Sequence, residues 1–133
     1  MEQSALGLKV RLHTDFETAE QRVIAALKAQ GFGVLTDIDV KATLKEKLDV
    51  DVRPYRILGA CNPPLAHRAL ETAPDVGLLL PCNVTLTETE PGAVDVSAID
   101  PLIMLGVVPS GDLEAVAQEA HQRLRAVIES LEA

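Results

Sequence analysis

The chain has 133 residues, 47% of them apolar and 24% charged, the composition of one globular domain over residues 1–133 rather than of a disordered segment. Its 12 Lys and Arg are outnumbered by 20 Asp and Glu, giving a net charge of −8. After Arg68 the only Lys or Arg residues are Arg123 and Arg125, a balance that excludes phosphate-driven nucleic-acid binding and anionic membrane surfaces.

The start Met1-Glu2-Gln3-Ser4 is not a secretory signal, and the longest apolar run, residues 102–108, is too short to cross a bilayer. Two cysteines without an export signal predict reduced thiols and a cytoplasmic location. Phe16, Phe32 and Tyr55 are the aromatics and there is no Trp. The core must therefore be built from Leu, Val, Ile and Ala.

Leu6, Leu8, Val10 and Leu12 alternate with Gly7, Lys9, Arg11 and His13, which predicts a strand with one wet face. Thr14 and Glu17 form a capping-box pattern ahead of a helix over 15–30, whose core positions are Phe16, Ala19, Val23, Ile24 and Leu27. Gly31 supplies the left-handed stop. Phe32, Val34 and Ile38 read as a second strand, and Val40, Leu44 and Leu48 as one side of a short helix. Residues 55–60 are apolar on both faces apart from Arg56, as in an interior strand. Asn62 caps the next helix, which opens on Pro63 and ends near Thr72.

Leu80, Cys82, Val84 and Leu86 alternate with polar residues up to the turn Glu90-Pro91-Gly92, beyond which Val94, Val96 and Ala98 return. That is a β-hairpin. Asp100-Pro101 opens a short turn of helix, and residues 113–131 carry a long amphipathic helix capped by Ser110 or Asp112. The order β-α-β-α-β-α-β-β-α predicts an α+β fold. Its single five-stranded sheet is mixed but largely antiparallel, with helices packed mainly on one face.

Cys61 stands between a strand end and the Asn62 cap, where a helix N-terminus favours thiolate, while His67 and Arg68 follow a turn or more along the same helix. The ordinary alternative is a small hydrophobe closing the junction. Cys82 shares the inward face of its strand, where a cysteine is normally inert. The two fit neither a Cys-x-x-Cys motif nor a zinc knuckle. His13 and His121 read as surface residues, and Glu88 and Glu90 as solvated turn residues. Leu35, Leu58, Ala60 and Ile99 fall on strand faces away from the expected core, which predicts a homodimer.

The stretches Tyr55-Arg56-Ile57-Leu58-Gly59-Ala60-Cys61-Asn62-Pro63 and Gly77-Leu78-Leu79-Leu80-Pro81-Cys82-Asn83-Val84, with Asp100-Pro101, resemble a bacterial family catalogued as domain of unknown function 302. The resemblance runs from the first helix to about Met104. It implies a compact α+β fold and a dimer, supplies no reaction, and marks Cys61, Asn62, Pro63, Pro81 and Cys82. At Asp49 the family pattern expects glycine, and Asp tolerates the left-handed turn that glycine implies.

The expectation is a cytosolic binding module with a small-molecule pocket near Cys61 and Cys82, edged by Asn62, Pro63, Pro81, Tyr55 and His67. A thiol-dependent redox, metal or sulfur-handling protein using Cys61 is the alternative, and a structural or interaction domain is the third. No cofactor and no metal is expected. No base, nucleophile and oxyanion set can be assembled, which weighs against an enzyme.

Overall fold

The computed structural model describes residues 1–108 and 111–132, without the side chain of Asp112. The strands are β1 (Glu2–Gln3), β2 (Gly7–Leu12), β3 (Gly33–Asp39), β4 (Tyr55–Cys61), β5 (Cys82–Glu90) and β6 (Ala93–Ile99). The helices are α1 (Phe16–Ala29), α2 (Val40–Leu48), α3 (Pro63–Thr72), α4 (Pro101–Leu105) and α5 (Glu114–Leu131), with 3-10 turns at Pro74–Leu79 and Gly111–Leu113. Among the described residues one sheet of six strands runs β1-β2-β6-β5-β4-β3, and every neighbouring pair is antiparallel.

The fold is α+β as expected, but the sheet gains a sixth strand and contains no parallel pair. The strand missed is β1, folded back on β2 by the turn in which the Ser4 N–H reaches the Gly7 carbonyl. Two residues are too few to show a hydrophobic period. β3 to β6 form an antiparallel meander with α2 and α3 inserted in its connections, and β2 then docks beside β6. The early alternation of strands and helices, expected within a mixed sheet, is therefore a meander with helical loops.

Local chemistry sets the helix ends. α1 is capped by Asp15 rather than Thr14. Asp15 Oδ1 accepts from the Thr18 N–H at 2.7 Å and its Oδ2 accepts from the Thr18 hydroxyl at 2.9 Å. At the other end the Gly31 N–H donates to the Lys28 carbonyl and the Phe32 N–H to that of Leu27, with Gly31 at φ 84°. This paired closure needs a left-handed residue, which Gly supplies without a Cβ penalty. Asp49 ends α2 at φ 55° in the same left-handed region. The first full turn of α5 is preceded by the Gly111–Leu113 turn and has no side-chain cap at Leu113. Of its expected caps, Ser110 and the side chain of Asp112 lie outside the described residues.

The main core lies between the sheet and the pair α1 and α5. Leu8, Val10 and Val96 meet Val23, Leu27, Leu124 and Ile128 there, all buried. Leu58 and Ala60 belong to this core at 0% and 1% exposure, so they do not form an outward face. The register explains the difference: Leu58 pairs with Val84 and Ala60 with Cys82, and directly paired residues share a sheet face. Ile99 packs at the margin of the same core, and Leu35 is exposed. A bulge between Val34 and Thr36 keeps Val34 at the core and turns Ile38 outward. Leu6 precedes β2 and is exposed instead of starting its inward row. The other sheet face carries Lys9, Arg11, Asp95, Thr85 and Ile57, none of them buried.

A second apolar cluster packs α3, α4 and the start of α5 together through Leu65, Ala69, Leu105, Val116 and Ala120. Among the described residues no helix is long and apolar enough to cross a membrane.

Candidate functional site

The two cysteine-bearing junctions meet at one end of the sheet. Cys82 opens β5 directly opposite Ala60 of β4, and Cys61 is the next residue along β4. Asn62 follows at 8% exposure. Its Oδ1 accepts from the Leu65 N–H at 3.3 Å, and its carbonyl accepts the Ala66 N–H at 2.9 Å. Pro63 and Pro64 occupy the first two positions of α3, where the absent N–H groups cost nothing.

Between the main core and the second cluster lies a cavity of about 310 Å³. The sheet end contributes Phe32, Ala60, Cys61, Pro81 and Cys82 to its wall, and α3 contributes Leu65, Ala66 and Ala69. Met104 of α4 and Val116 and Ala120 of α5 close the far side. Leu35 and Leu70 also line it while being 67% and 40% exposed, so they form its mouth. Among the described residues Asn62 is the only one lining it whose side chain holds nitrogen or oxygen. A space of this size falls at the lower end of small-molecule sites.

Of the residues expected at a site, Cys61, Asn62, Pro81 and Cys82 line the cavity, and Pro63, Tyr55 and His67 do not. Pro63 begins α3 just behind the wall. Tyr55 is at the opposite end of β4, paired with Thr87, about 20 Å away along the strand. His67 is 75% exposed and faces Glu71 at 2.9 Å on the outer side of α3. The apolar lining of α3, α4 and α5 gave no signal in the sequence, because a residue facing a cavity has the same helical period as one facing a core.

Both thiols are free. Burial, reinforced by the negative charge that Cys61 would carry as thiolate, pushes the Cys82 thiol up to about 11. Cys82 therefore stays a neutral S–H through the physiological range. Cys61 is half-buried. Both thiols border the same cavity, Cys82 from the start of β5 and Cys61 from the end of β4. The start of α3 gives Cys61 little help: its first two residues lack N–H groups and the third N–H is held by Asn62.

Two polar clusters lie outside the cavity. Asp100 caps α4 by accepting from the Leu102 N–H at 2.9 Å, and the same Oδ1 lies 2.9 Å from His121 Nδ1. His121 is thus not a surface histidine but, at 18% side-chain exposure, a strut joining α5 to α4. Arg56 holds Glu20, Asp37 and Asp39 at 3.1, 3.1 and 3.3 Å. Burial and the Asp37 charge raise the Glu20 carboxyl against the pull of Arg56. Among the described residues no three His, Cys, Asp or Glu side chains are arranged to hold a metal ion.

A family model described as Domain of unknown function DUF302 matches residues 8–131. A solved structure titled as an uncharacterized conserved protein DUF302 from Bacillus stearothermophilus superposes with a TM-score of 0.85 at 30% identity, covering 95% of this chain and 98% of that one. No curated protein matches the chain.

Proposed function

The chain belongs to the family described as Domain of unknown function DUF302, and we propose for it the role of a small-molecule binding protein whose site is the cavity at Cys61 and Cys82. The observation that carries this reading is the unfilled apolar space of about 310 Å³ between two otherwise well-packed clusters, with Leu35 and Leu70 at an open mouth. Three alanines, Ala66, Ala69 and Ala120, stand where larger apolar side chains would close it. A chain selected only for stability gains by filling such a space.

Thiol chemistry at Cys61 is the weaker reading. His67 faces away, the α3 start presents no free N–H in its first turn, and Cys82 is held protonated. We extend the binding role to a homodimer in the cytoplasm. Exposed Leu35, Leu70 and Leu78 give a second copy an apolar surface beside the mouth, and two free thiols suit a reducing compartment.

Native mass spectrometry tests both parts. The expected result is a dimer mass carrying an excess that disappears on denaturation and is absent from Ala120→Leu. A bare monomer that takes up no small apolar compound on incubation would contradict the reading.

A further inference from the structure

The wall chemistry narrows the occupant, an inference that rests on the binding reading above. We infer that the cavity takes a neutral, hydrocarbon-rich molecule with the bulk of two fused rings and excludes the same skeleton once it carries a charge.

Size comes first. The cavity of about 310 Å³ is about twice the roughly 150 Å³ that accepts a single benzene ring. Charge follows from the walls. Among the described residues no Lys, Arg, His, Asp or Glu lines the cavity, so an ionised group inside would lose much of its hydration and find no partner charge in the wall. The nearby cation is Arg123, whose Nη1 lies 3.5 Å from the Cβ position of Gly31. It does not line the cavity, and two of its N–H groups are held, Nη1 by the Gln30 carbonyl at 3.1 Å and Nε by Glu119 at 3.3 Å.

A helix N-terminus commonly draws anions with free N–H groups, yet the start of α3 is closed to them. Pro63 and Pro64 have no N–H, and the Leu65 N–H is occupied by Asn62. Cys82 adds a wall group that is 9% exposed and makes no hydrogen bond among the described residues. An S–H is a weak donor that accepts an aromatic or aliphatic neighbour without penalty. The one wall residue among the described residues with a side-chain nitrogen or oxygen is Asn62, whose oxygen is used by the cap and whose amide nitrogen lies beside Gly31.

The test is calorimetric titration of the full-length protein with naphthalene and with naphthalene-2-carboxylate, one skeleton with and without charge. Naphthalene is expected to bind, with the carboxylate at least about 30-fold weaker. Cys61 alkylation is expected to slow when naphthalene is present. If the carboxylate binds as tightly as naphthalene, the ligand class is wrong while the cavity remains a binding site. If neither compound binds, the binding role falls with it. Naphthalene binding undiminished in folded Ala120→Leu, with no protection of Cys61, would place the compound elsewhere and overturn the inference.

Discussion

At the scale of the residue, the two thiols border one cavity but differ in burial, Cys82 buried and Cys61 half-buried. Below the ordinary value of 9.0 both native and unfolded chains keep the Cys82 proton. Between 9.0 and about 11 only the unfolded chain releases it, so the contribution of the buried thiol is lost across that window. The loss is on the order of 2–3 kcal/mol. Denaturation midpoints at pH 8 and pH 11 are expected to diverge more for the wild type than for Cys82→Ala. Equal divergence would mean that the thiol is not buried as described. In a maleimide reaction on the native protein, half-buried Cys61 is expected to react and Cys82 to wait for unfolding. Rapid native labelling of Cys82 would contradict a thiol kept protonated by burial. The placement of these thiols was half legible in the sequence: alternation put Cys82 inward, and the Asn62-Pro63 signature put Cys61 at a helix start. That both would border one space depended on the register of β4 against β5, a long-range pairing that no local pattern encodes.

At the scale of the element, caps and close approaches decide what each segment tolerates. Asn62 links the end of β4 to α3, and Asn62→Ala is expected to cost about 1–2 kcal/mol by denaturant titration. A cost near zero would show that the cap is dispensable. Gly7 and Gly33 offer a contrast at strand positions. A Cβ at Gly7 would collide with the Ala98 carbonyl of the paired strand β6, whereas at Gly33 there is nothing within 4 Å. Gly7→Ala should lose about 1–3 kcal/mol, and Gly33→Ala should change stability by no more than about 0.5 kcal/mol. The same local logic explains which elements could be read in advance. α1, α3 and the β5–β6 hairpin carry period, cap and turn residues together, and each lies where those signals put it. β1 has two residues and no period, and the bulge at Leu35 reverses the faces of β3 without a Gly or Pro to announce it. The Thr14 cap lost to Asp15 because a carboxylate one residue on makes two bonds to Thr18 where the hydroxyl offers one.

At the scale of the whole molecule, two apolar clusters share α5 and part at the sheet end, and the candidate site is the space between them. Function and stability are then opposed at the same alanines. Ala69→Leu and Ala120→Leu should each raise stability by roughly 0.5–2 kcal/mol by filling space while abolishing small-molecule uptake. Destabilisation by both would mean that the walls are already packed. The most direct measurement is the amide NMR spectrum of the full-length protein titrated with naphthalene. The largest shifts are expected at Phe32, Cys61, Ala66, Ala69, Met104 and Ala120, which line the cavity, with Lys9, Thr85 and Asp95 on the open sheet face unmoved. Shifts gathered on that open face, or none at the cavity up to the solubility limit, would contradict the assignment of this space as a binding site.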